Sequence, residues 1–251
     1  MAGTKRDSDG KDVTSFRFSG MFEKFRDELD EHYDRKERIV KASRDVTAAS
    51  KKIIFSLQRV RALNKPLPPP IQKEVDARLA AIKASLEPIA GDLAGLNAYR
   101  YHSQMRCLEE LVEALSFMHY IRTQTLISPA QAQEAVPVAQ VQISAHDYLY
   151  GVFDLFGEMM RFATVAAGRV GSLAAGDGRG ERSMLQDIQE MSAQFEILPE
   201  MPGKSYRLKM EEMRNSVKKV EVLGYGLAIR RSERPAGWVP DLDVGGGPEE
   251  E

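Results

Sequence analysis

Residues Ser19 to Asn64 predict one uninterrupted helix, and a helix of that length dictates the architecture around it. Phe25, Ile39, Val46, Ile53 and Val60 recur at heptad spacing, with only His32 interrupting the series. Phe22, Leu29 and Leu57 supply part of the neighbouring seam, which turns polar at Lys36, Ser43 and Ser50. With roughly 45 residues at ~1.5 Å each, the helix would run ~65 Å and must find partner helices along its length. PLPPP at 66–70 ends it, because proline removes a backbone donor and clashes with the preceding turn.

The rest of the chain reads as further helices around that one. Helical patterns cover about 71–86, 96–125, 144–167, 183–195 and 205–229. Ser128-Pro129-Ala130-Gln131 has the spacing of a capping box and opens a short helix ending near Val136. VPVAQVQIS is the only β-like passage and reads as a connector. The fold class expected is all-α, a bundle of about six or seven helices with a very long first helix. The helical domain is expected over 15–232, between a disordered polar arm at 1–14 and a flexible acidic Gly/Pro tail at 233–251.

Composition narrows the function classes. A net charge of −2 gives no global field for polyanions, so a nucleic-acid ligand would have to meet a local basic face. A single cysteine, Cys107, excludes an intrachain disulfide framework and fits a reducing compartment. No apolar run of about 18 residues is present, and MAGTKRDSDGKDV lacks the apolar segment of a secretory signal. The expectation is a soluble intracellular protein without a membrane partner.

The run Ser144–Ala167 is apolar around most of its circumference, yet Asp147, Gly151, Asp154 and Glu158 share one narrow line of it. Glu110 and Glu113 stand one turn apart on an upstream helix, opposite Leu108, Leu111, Val112 and Leu115. Alone, such a pair is a solvent-facing decoration. Asp154 and Glu158 are harder to dismiss, because their helix is otherwise built for burial. Four carboxylates brought together without cations would raise one another's pKa, and a metal ion relieves that conflict. All-oxygen ligands favour Mg²⁺, or Mn²⁺, and no Glu-x-x-His motif of a di-iron bundle is present. Asp147 has capping-box spacing to Ser144, so capping is its better reading. Gly151 is read as a close-packing position.

His102 and His119 are core or surface histidines on this reading, and Cys107 has no nucleophile setting. No catalytic Ser/His/Asp set, phosphate loop or dinucleotide motif occurs. Arg38, Lys41, Lys52 and Arg59 share a face of the first helix, with Arg44 and Lys51 at its margin. That face is either a solvated helix surface or a track for a nucleic-acid backbone. Tyr99 and Tyr101, beside Arg100, are candidate stacking residues.

KERIVKASRDVTAASKKIIFSLQRV, LEELVEALSFMHYIRTQTLIS, DYLYGVFDLFGEMMR and SVKKVEVLGYGLAIRRSE together resemble the translin superfamily over roughly residues 20–232. Translin itself shares the DYLxGV lead and an acid matching Glu158, but lacks acids at the places of Glu110, Glu113 and Asp154. The resemblance is therefore to translin's catalytic partner. It implies an Mg²⁺-dependent endoribonuclease acting on single-stranded RNA, with small-RNA passenger strands and tRNA precursor fragments as substrates. Glu110, Glu113, Asp154 and Glu158 take the places of its metal-binding, catalytic acids. Arg38, Lys41, Arg44, Lys52 and Arg59 become candidate RNA-binding residues. The partner implied is a translin-type subunit in a hetero-oligomer, an octameric shell, with single-stranded DNA as a second ligand. The location implied is cytoplasmic, with the nucleus as a second compartment. The alternative is a non-enzymatic helical adaptor that binds translin and nucleic acid.

Overall fold

A computed structural model of the chain describes residues 5–6, 12–13, 18–170, 173 and 183–230. The first helix, α1, spans Ser19–Leu57, about 58 Å at ~1.5 Å per residue. It stops short of the expected Asn64 because the chain turns back to bury Val60, Leu63 and Leu67. Asn64 carries the turn in the left-handed region, φ 55°, and its N–H donates to Ile121 O at 2.8 Å. Helix α2, Pro69–Leu86, starts on the expected prolines and lays Ile71, Val75, Ile82 and Leu86 along α1.

The helix expected over 96–125 is broken. It becomes α3, Leu96–Arg100, a 3₁₀ turn at His102–Gln104, and α4, Cys107–Thr123. Tyr101 and Met105 are drawn into the core at the break, and Tyr101 Oη lies 2.8 Å from His32 Nδ1 of α1. Tertiary burial overrides the local helical preference there. Helix α5, Pro129–Ala135, opens on the Ser128–Gln131 capping box. The connector that follows is held by the Gln133 side chain, which donates to Val141 O at 3.0 Å and accepts from Ile143 N at 2.8 Å. Then come α6, Ala145–Val170, α7, Met184–Glu196, and α8, Lys204–Arg230. Ser183 and Gln186 form a second capping box at α7. Besides these helices, Lys5–Arg6 pairs antiparallel with Asp12–Val13. Most of the expected arm, the loop before α7 and the tail at 233–251 lie outside the described residues.

Packing runs from α2 to α1, then α4, α6 and α8, with α7 against α8 and α6. One core continues through all of these elements. Aromatic rings tie its far side together: Phe153 and Phe156 of α6 meet Phe195 of α7 at 4.7 and 5.4 Å, and Phe153 meets Tyr206 of α8 at 5.7 Å. The heptad seam of α1 is divided. Ile39, Val46 and Ile53 are buried, whereas Phe22, Phe25, Leu29 and Tyr33 stay at least half exposed on the protruding N-terminal half. Among the described residues no helix is long and apolar enough to cross a membrane.

Candidate metal centre

The site begins with a missing side chain. A Cβ on Gly151 of α6 would lie 2.7 Å from Glu109 O and from Val112 Cβ of α4, closer than packed carbon atoms can sit. Gly151 therefore lets the two helices approach more closely than any other residue would allow. That approach sets the acids of the two helices against each other. Glu110 and Glu113 of α4, with Asp154 and Glu158 of α6, line one cleft of about 590 Å³. Lys51, Ile54 and Phe55 of α1, Arg161 of α6 and Lys209 of α8 complete its wall.

Glu113 does not face solvent, as its helical spacing alone suggested. It keeps 8% of its exposure, because α1 and α6 enclose α4 from Leu111 to Phe117. The other three acids have partners. Lys51 Nζ is 3.3 Å from Glu110 Oε1, Lys209 Nζ pairs with Asp154 Oδ1, and Arg161 Nη2 is 3.7 Å from Glu158 Oε1. Gln58, at the C-terminal end of α1, donates to Glu158 Oε2 at 2.7 Å and to Glu158 O at 3.0 Å. Glu113 makes no ion pair or hydrogen bond among the described residues. Burial, then repulsion from Asp154, Glu110 and Glu158, pushes its pKa up to about 8. Burial works against the charge of Lys209, but its bond to Asp154 together with the negative charge of Asp154, Glu212 and Glu109 holds its pKa above the ordinary value.

This donor set fits a hard divalent cation: four carboxylates, no sulfur or imidazole, and one acid whose proton is held by burial and by the charge of the other three. Lys209 already stands as a cation against Asp154. Neither Lys209 nor Gln58 was singled out from the sequence. Lys209 is separated from Asp154 by 55 residues, so no local spacing could pair them.

The remaining candidates separate clearly. Asp147 accepts from Ser144 N at 2.9 Å and Ser144 Oγ at 2.6 Å, while its own N–H donates to Ser144 Oγ at 3.1 Å. It caps α6, as its spacing suggested. Cys107 is buried, and burial pushes its thiol up to about 11, far from a thiolate nucleophile. Arg38 is bound to Asp92 at 3.0–3.1 Å, and Arg59 is paired with Glu74, so two of the five candidate RNA contacts are held internally. Lys41, Arg44 and Lys52 are exposed and make no ion pair among the described residues. Tyr101 is buried and offers no face for a base, whereas Tyr99 is 84% exposed.

Fold and cleft together define the class: an all-α bundle on one very long helix, with carboxylates from two central helices sharing a cleft. A sequence profile described as the Translin family matches residues 34–231. Translin-associated protein X of Rattus norvegicus is 30% identical, over 93% of this chain and 87% of that protein. The translin-associated protein X homolog of Schizosaccharomyces pombe is 29% identical, over 85% and 89%. Translin of Gallus gallus is 26% identical, over 87% and 95%. The crystal structure of apo-NeC3PO shares the fold, with a TM-score of 0.60 at 17% identity over 84% of this chain and 97% of that one. The chain belongs to the translin family.

Proposed function

We propose that this chain is the catalytic subunit of a translin-type hetero-oligomer and hydrolyses single-stranded RNA with Mg²⁺ or Mn²⁺. The observation that carries the reading is the convergence of Glu110, Glu113, Asp154 and Glu158 in one cleft, with Glu113 buried and, among the described residues, without an ion-pair or hydrogen-bond partner. These four acids would hold the ion. A divalent cation bound there supplies Lewis-acid polarisation of a phosphodiester and a nucleophilic water at neutral pH.

The chain's own residues provide the rest. Lys51 and Arg161 set positive charge beside the acids, where a phosphate oxygen must approach. Phe55, 72% exposed on the cleft wall, offers a ring face on which a base can stack. Lys41, Arg44 and Lys52 extend a basic track along α1 for the RNA backbone. The exposed aromatic half of α1 is the surface for a translin-type partner, a reading supported by the relatives named translin-associated protein X.

The adaptor reading has its own support, since internal cations already answer Glu110, Asp154 and Glu158. Cleavage of labelled single-stranded RNA by the complex reconstituted with translin decides between them. Mg²⁺ should support cleavage, chelation should abolish it, and products should carry 5′-phosphate and 3′-hydroxyl ends. Asp154→Asn should bind RNA within a few-fold of wild type yet cleave at least about 100-fold more slowly. Tight RNA binding with no cleavage in Mg²⁺ or Mn²⁺ would favour the adaptor.

A further inference from the structure

A second cluster of metal-type ligands lies beside the acid cleft and shares no side chain with it. Glu109 of α4, with His146 and Asp147 of α6, brings one carboxylate, one imidazole and another carboxylate to a single point. Their donor atoms all lie within 4.8 Å of one another. Asp147 is seven residues, or ~10 Å of helix rise, before Asp154, so the cluster sits about two turns from the cleft.

Three features make the cluster a prepared site. Asp147 is 2% exposed, and its Oδ2 alone takes both bonds from Ser144. The capping thus fixes the carboxylate and leaves Oδ1 3.6 Å from His102 Nε2. The His146 ring is stacked on Tyr150, with centroids 4.0 Å apart and planes at 18°, which leaves Nδ1 3.9 Å from Glu109 Oε1. Glu109 keeps only 14% of its side-chain exposure at the α4–α6 contact that Gly151 makes possible. Tetrahedral Zn²⁺ with bonds of about 2.0–2.1 Å needs donor pairs ~3.3 Å apart, so Glu109 and His146 would have to close on Asp147 from the present spacing of up to 4.8 Å.

We propose that Glu109, His146 and Asp147 form a nitrogen/oxygen metal site for Zn²⁺, distinct from the all-carboxylate cleft, with His102 as its fourth protein ligand. An imidazole beside two carboxylates selects a borderline transition ion over Mg²⁺, whereas the cleft's donors select the reverse. His102 stands in the 3₁₀ turn before α4, 3.4 Å from Ser144 Oγ. The ion would therefore clamp that turn and the first turns of α4 and α6 into one unit. Arg106 and Lys209 act on Glu109 through their charge, and among the described residues neither forms an ion pair with it.

The test is metal titration of the full chain after chelation, with Zn²⁺ followed by calorimetry and Co²⁺ by its visible absorption. Asp147 also caps α6, so the informative variants are His146→Gln and Glu109→Gln, whose folding is checked by circular dichroism. Wild type should bind one Zn²⁺, and Co²⁺ should show bands of a low-coordinate nitrogen/oxygen site. Asp154→Asn should retain both signals, because the cleft is separate. Each cluster variant should lose affinity at least about 10-fold, the size that outer partners of a metal alone can carry. Zn²⁺ affinity and Co²⁺ spectrum unchanged in both cluster variants would overturn the proposal. So would their loss in Asp154→Asn alone, which would assign the ion to the cleft.

Discussion

Glu113→Gln is the substitution that reads the cleft's electrostatics most sharply. The carboxyl of Glu113 is 8% exposed and titrates at about 8, against 4.5 in the unfolded chain. A raised folded pKa means that the folded state holds a proton which the unfolded state has released. Below pH 4.5 both states are protonated and the stability contribution is complete. Between 4.5 and about 8 stability falls by ~1.4 kcal/mol per pH unit, because the unfolded state binds fewer protons. Above about 8 the loss ends, after ~4–5 kcal/mol in all. Glutamine keeps the size and hydrogen-bonding capacity but has nothing to ionise. Relative to wild type, Glu113→Gln should therefore gain ~4 kcal/mol of stability between pH 5 and pH 9. Urea unfolding of both proteins in excess chelator, at several pH values, measures this directly. A difference that stays constant across that range would refute the reasoning. Adding Mn²⁺ at pH 8 should stabilise wild type through binding to the folded state and leave Glu113→Gln much less affected.

Three further outcomes follow from the same geometry. Gly151→Ala places a methyl 2.7 Å from the α4 backbone and should cost about 1–3 kcal/mol by thermal unfolding; a neutral result would contradict the close approach. Phe22→Ser with Phe25→Ser, both on the exposed half of α1, should leave helicity intact but abolish association with translin in light scattering. Retained assembly would place the partner elsewhere. Replacing Lys41, Arg44 or Lys52 by Ala should lower the salt dependence of single-stranded RNA binding by ~0.7 in log–log slope each, while Arg38→Ala and Arg59→Ala, already paired internally, should change it less.

What could be read without coordinates was periodicity and capping. The heptad of α1, the prolines at α2 and the Ser–Gln box at α5 act within a few residues, so spacing alone exposes them. The break at Tyr101 was hidden because it follows from burying Tyr101 and Met105 against elements distant in sequence, among them His32 of α1, 69 residues away. The burial of Glu113 was hidden for a similar reason. Its own helix places it opposite the leucines, and only the enclosure of α4 from two sides turns that face inward. Lys209 and Gln58 reach the acids from distant helices and carry no motif. Gly151 was legible as a packing position, although nothing in its spacing said that it brings the acids of α4 and α6 together.

The central claim, that the acid cleft holds a divalent ion, is tested most directly by crystals of the protein soaked in Mn²⁺ and measured for anomalous scattering. The account predicts a peak among Glu110, Glu113, Asp154 and Glu158, with Lys209 Nζ withdrawn from Asp154. No peak in the cleft, with Lys209 still bound to Asp154, would contradict it and leave the acids as a self-balanced ion-pair network.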